Sequence, residues 1–161
     1  MQIITSAGLA GLAFMLIVPA TAQDAVAVPQ RPWQVACVSQ AQSADLQCSV
    51  SQSLVAAETR QRIISVNLVG GPAGPTMTLS LPHGLNLPAG VTVGVDDSEP
   101  RTFPILTADQ NGSYAEFTAD DDLVNAMKRG TLLKIGVSAH GGDVVNFELS
   151  LSGFGEAVVR L

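Results

Sequence analysis

The chain has 161 residues, of which 14 are acidic and 8 basic, for a net charge of −6. With few basic residues and no cluster of them, it offers no partner to nucleic-acid phosphates or to an anionic membrane surface; the acidity chiefly favours solubility. Beyond its first segment the length suits one domain with one core.

From Ile3 to Val18 no residue is charged, and Pro19 leads into Ala20-Thr21-Ala22. An apolar stretch closed by an A-x-A triplet is the pattern of a secretory signal peptide, read here as 1–22 with cleavage after Ala22. The run is short for a membrane span and no basic stop follows it, although no Lys or Arg precedes it either. An uncleaved anchor is the alternative reading. Residues 23–31 read as a flexible leader and 32–161 as the domain. No further run of spanning length follows, so no integral span is expected after cleavage. The expected location is the periplasm or the cell surface.

The dominant period in the domain is two. Trp33, Val35 and Cys37 share one face of a first strand, and Leu46, Cys48 and Val50 one face of a second. Both cysteines therefore fall on the side expected to be apolar, with a polar hairpin loop from Ser39 to Asp45 between them. A short helix or a turn is the weak reading of Leu54 to Arg62. Alternation returns at Ile64–Leu68, Met77–Leu81 and Val91–Val95, then at Leu133–Val137 and Val145–Leu151. Phe103 and Ile105, interrupted by Pro104, predict an edge strand, and Tyr114–Phe117 a further short one. Turn residues such as Gly70-Gly71-Pro72, Asn111-Gly112 and Gly141-Gly142-Asp143 punctuate the strands. One helix is predicted, capped by Thr118 or Asp120, with Asp121 and Asp122 in its first turn, Lys128 and Arg129 in its last, and Gly130 after it. Many short strands with turn signals between them predict a mainly β sandwich or barrel with one short helix.

The chemistry-bearing residues give no recognised constellation. Cys37 and Cys48 are open to four readings: metal ligands, a redox pair, free core thiols or a disulfide. Zinc wants four close N or S ligands, and neither cysteine has a local partner. A thioredoxin-like redox site wants C-x-x-C at a helix start. In an oxidising compartment a cysteine pair favours a disulfide, and adjacent antiparallel strands bring Cβ atoms within bridging range. Asp96, Asp97 and Glu99, and Asp120 to Asp122, lack the spacing of a calcium loop. No G-x-S-x-G is present, and His83 and His140 lie in turns. Gly70 to Gly74 lacks the Lys-Ser/Thr of a phosphate loop. Trp33 is expected to pack beside the cysteines. Arg31, Arg60, Arg62 and Arg101 are scattered along the chain.

Several ordered pieces resemble the invasion associated locus B family of exported alphaproteobacterial proteins. They are Trp33-Gln34-Val35-Ala36-Cys37, Cys48-Ser49-Val50-Ser51-Gln52, the run from Leu81 through Pro82-His83-Gly84 to Val91, Val93-Gly94-Val95-Asp96, and Leu151-Ser152-Gly153-Phe154 with Glu156-Ala157. The resemblance implies an immunoglobulin-like antiparallel β-sandwich and a cell-envelope protein, in some members linked to host-cell invasion. It brings no catalytic, cofactor-binding or metal residues. Members often carry a second cysteine pair in the segment matching Ile105 to Tyr114, and this chain has none there. With the first pair retained, Cys37–Cys48 reads as a structural disulfide pinning the first hairpin.

The expected function is therefore non-catalytic, without cofactor or metal: interaction with an envelope or host protein. The first alternative is a periplasmic ligand-binding or chaperone-like module using an exposed strand edge. The second is a hydrolase with a site assembled in space around His83 or His140.

Overall fold

The structure, a computed structural model, describes residues 28–29, 32–39 and 46–161. The signal-like segment and most of the first loop lie outside those residues. Within the segment read as a leader, Val28–Pro29 form β1, which pairs with the end of β3. The chain continues through β2 (Gln34–Ser39), β3 (Leu46–Val55), β4 (Arg62–Val69), β5 (Thr76–Leu81), β6 (Val91–Val95), β7 (Arg101–Phe103), β8 (Ile105–Asp109) and β9 (Gly112–Thr118). Helix α1 (Asp121–Arg129), β10 (Leu132–Ser138), β11 (Val144–Ser150) and α2 (Phe154–Val158) complete it.

These strands form two antiparallel sheets. The large one runs β1-β3-β4-β5-β9-β8, with β2 also on β3, and the small one runs β11-β10-β6-β7. The fold is thus mainly β, and of the sandwich or barrel that the alternation allows it is the two-sheet sandwich, the form the family resemblance implies. Its cause is visible residue by residue. Ile64, Val66 and Leu68 of β4 and Met77, Leu79 and Leu81 of β5 are buried, as are Val91, Val93 and Val95 of β6 and Leu133, Ile135 and Val137 of β10. The residues between them face outward. The two inner faces merge into one hydrophobic cluster. Burying each such side chain contributes about 1.5–3 kcal/mol, which fixes the register because a one-residue slip would turn every one of them outward.

Helix α1 closes one end of the sandwich. Asp120, rather than Thr118, is its N-cap: Leu123 N–H donates to Asp120 Oδ1 at 3.0 Å. Leu123, Val124 and Met127 are its buried face. Gly130 follows in an extended conformation, with φ −81°. It is needed for close approach, because a Cβ there would collide with Val95 Cγ1.

Local details sharpen or correct the expectations. Of the two readings of Leu54 to Arg62, the turn holds and the helix does not: β3 runs to Val55, and Arg60 N–H donates to the Ala56 carbonyl in a tight turn into β4. The two strands pair around it, and pairing wins over a weak local propensity. Between β5 and β6, Leu85 packs against the core while Leu87 is 38 % exposed in a 3₁₀ turn. Phe103 and Ile105 do not share one strand. Pro104 sits where the chain leaves β7, an edge of the small sheet, for β8, an edge of the large one. The C-terminal Phe154–Val158 helix has no counterpart among the predicted elements; it is too short for its periodicity to register.

Candidate interaction surface

Cys37 and Cys48 are directly opposite one another on β2 and β3 and are joined, with the sulfurs 2.02 Å apart. The bridge links neighbouring strands of one sheet; it does not cross the core. β2 is exposed at all six positions. The expectation that both cysteines sit on a buried face therefore needs correction. They do lie on the same side of the sheet as buried Val50, but the core stops before them. β4 pairs with β3 only from Ser49, which faces Val69. Beyond that point Cys37–Ser39 and Leu46–Cys48 form a two-stranded ribbon that overhangs β4, with the disulfide at its root. Leu46, on the side of Val50, is consequently uncovered and 66 % exposed, while Val38, on the outward side of the sheet, is 63 % exposed.

Trp33 fixes where the ribbon starts. It does not pack beside the disulfide. Its indole Nε1–H donates to the Ser150 carbonyl at 3.0 Å, and its ring meets Phe154 edge-on with centroids 4.9 Å apart. It thus ties β2 to the small sheet and to α2. Position 33 precedes the strand, so extrapolating the strand's period to it misleads.

The edges of the two sheets differ in how they resist unwanted pairing. β7 is three residues long between Pro100 and Pro104. β8 is bulged between Ile105 and Thr107 and ends in Asp109. β11 carries Glu148. β2, with sequence QVACVS, has no charge, no proline and no bulge, and among the described residues it pairs only with β3. A sequence signal for this exists: from Gln34 to Leu54 the only charged residue is Asp45.

The other singled-out residues serve the scaffold. Asp96, at φ 50°, accepts from the Thr131 and Leu132 amides, and Asp97 pairs with Lys134 Nζ at 3.1 Å. Asp120 joins Arg101 through both its oxygens, and this pair, ahead of the Leu123 N–H, holds its carboxyl below the usual carboxylate range. Asp109 is likewise lowered, chiefly by the Asn111 N–H. Arg62 donates to the Asn111 carbonyl, so the arginines do not converge, and Arg31 lies outside the described residues. His83 Nε2 is 3.3 Å from the Gln110 carbonyl oxygen, and His140 N–H donates to the Gly84 carbonyl, so the two histidine turns meet through backbone. A depression of about 300 Å³ on the outside of the small sheet lies over Gly94 and Gly136. Packing explains it: a Cβ on Gly136 would strike Thr92 Oγ1 and Asn146 Oδ1. Among the described residues no three His, Cys, Asp or Glu side chains are grouped to hold a metal. Among them, too, no helix is long and apolar enough to cross a membrane.

The model of the invasion associated locus B (IalB) protein family matches residues 33–161. The chain belongs to that family. It is 31 % identical over 133 residues to an invasion protein B homolog of Brucella abortus strain 2308, covering 80 % of this chain and 75 % of the relative. A second homolog, from Brucella abortus biovar 1 strain 9-941, matches equally. The crystal structure of invasion associated protein B from Bartonella henselae superposes with a TM-score of 0.71 at 21 % identity, over 80 % of this chain and 88 % of the other. At that identity the structural likeness speaks to the fold, and it extends the two-sheet sandwich to a second member of the family.

Proposed function

We propose that this IalB-family chain is an exported, non-catalytic protein of the cell envelope that works by holding a partner protein at the β2–β3 ribbon. The observation that carries the reading is the ribbon itself: an uncharged strand edge that pairs with no further strand among the described residues and projects beyond the core, with Val38 and Leu46 exposed. An acidic protein that leaves one edge free of charge favours an extended, uncharged segment of a partner, added as a further strand along β2. The backbone would supply affinity, and alternate side chains of the incoming segment would meet Val38 or Val35. Export is supported by the apolar segment closed by Ala20-Thr21-Ala22 and by a disulfide, which suits an oxidising compartment. The names of the Brucella relatives support a role in host-cell invasion.

A photo-crosslinking residue placed at position 38 in living cells tests the reading, with position 116, exposed on β9, as the control. The expected outcome is one partner segment, extended and uncharged, captured from position 38 and not from position 116, with capture from a probe at exposed Ala36 lost when Val38→Lys is introduced. Equal labelling from both positions, or capture unaffected by the lysine, would sink it. Protease treatment of intact against osmotically shocked cells then assigns the side of the outer membrane. Cleavage on intact cells favours a host-facing role, and protection until shock favours an envelope-internal one.

A further inference from the structure

We infer that the Cys37–Cys48 bridge is a thiol-accessible latch whose reduction melts the β2–β3 overhang and leaves the sandwich folded. In immunoglobulin domains the conserved bridge crosses the core between sheets, so solvent thiols reach it only when the core opens. Here it joins adjacent strands of one sheet, and Cys37 is on an exposed edge strand. Exposed disulfides are the labile ones. The bridge is also the first pair beyond the reach of β4. Three pairs remain in the overhang: Cys37–Cys48, Val38–Gln47 and Ser39–Leu46. A two-stranded ribbon is marginal in water without a third strand or a packed face, and this one has neither among the described residues. The disulfide is the covalent tie across it.

Two anchors stop the melting. Val35 and Ala36 pair with Val50 and Ser49, which β4 supports from the other side. Trp33 stays buried against Phe154 and Ser150. The released unit is thus Cys37–Ser39 with Leu46–Cys48, a local opening below the global one.

The chemistry is ordinary exchange with a dithiol reductant. Its thiolate attacks Sγ of Cys37, the more exposed of the two residues; the S–S bond breaks, and Cys48 leaves as a thiolate that takes a proton. The second thiol of the reductant then attacks the mixed disulfide and releases Cys37. The reductant ends as a disulfide, and the protein gains two electrons and two protons.

The test uses the oxidised protein and dithiothreitol without denaturant, and its readouts need no partner, so it stands or falls apart from the docking proposal. Three results are expected together: both cysteines become alkylated, amide exchange over Cys37–Ser39 and Leu46–Cys48 rises about tenfold or more, and emission from Trp33, the only tryptophan, stays unchanged. The Cys37→Ser, Cys48→Ser double variant should show the same exchange pattern with no reagent. Cysteines that react only in denaturant, a ribbon still protected after reduction, or Trp33 emission shifting in step with it would each overturn the inference.

Discussion

At Pro104 the chain passes from β7 in the small sheet to β8 in the large one, and the sheets are tied there several times over. The peptide itself connects them, Phe103 stacks on Phe117 with ring centroids 3.6 Å apart, and Arg101 reaches Asp120 at 2.6 Å while lying over the Phe103 ring. At the opposite edge, among the described residues β2 joins the large sheet only through β3, with Trp33 anchoring its start to the small sheet. The first edge is closed by connectivity and needs no covalent staple. The second outruns the strand beside it, and there the chain places both of its cysteines. The disulfide stands where sheet pairing ends, at the position where hydrophobic burial has nothing left to offer.

The strongest way to break this comparison is to remove the anchor of the open edge. Trp33→Ala deletes the indole hydrogen bond and the Phe154 contact, and should destabilise the domain by about 3–5 kcal/mol in denaturant unfolding. A loss under about 1 kcal/mol would mean that β2 does not depend on Trp33. Cys37→Ser comes next. Losing the loop constraint should lower stability by about 3 kcal/mol in the chain-entropy model while unfolding stays cooperative. An unchanged midpoint would show that the unfolded chain gains nothing from the bridge.

The smallest effect belongs to the closed edge. Asp120→Ala removes a helix cap and should cost about 1 kcal/mol, whereas Asp120→Asn keeps a capping oxygen but loses the charge and one of the two oxygens that accept from Arg101. Because the Asp120 carboxyl is held below its ordinary range, first by Arg101, the stability it adds is complete above about pH 4. That stability disappears as pH falls through the lowered value. The pair is half exposed, so the term is about 0.5 kcal/mol. The acid limb of the stability curve should be shallower in Asp120→Asn than in the wild type. Equal slopes would place the acid sensitivity elsewhere.

Much of the fold is legible in the sequence because burial in a two-sheet sandwich writes a period of two. Ile64-Ser65-Val66-Asn67-Leu68 and Leu133-Lys134-Ile135-Gly136-Val137 show it plainly, and each runs along the centre of its sheet. The charged ends of α1 are equally plain, since a short helix needs its dipole and orphan amides answered locally. The interaction surface was less legible. Alternation assigns Val35, Cys37 and Leu46 to an inner face, yet it says nothing of how far the neighbouring strand extends. Val35 faces the same side as Val50 and is still 42 % exposed.

The sequence by itself determined the central strands, their inward faces, the caps of α1 and, through its ordered motifs, the family. Those properties depend on side-chain chemistry repeated at fixed spacing within a few residues. Only the tertiary structure decided where the core ends. That boundary depends on the relative lengths and register of β3 and β4, on Pro104 splitting one apparent strand between two sheets, and on Trp33 reaching Ser150 across 117 residues of chain. Such meetings of distant residues are fixed by packing and leave no local trace.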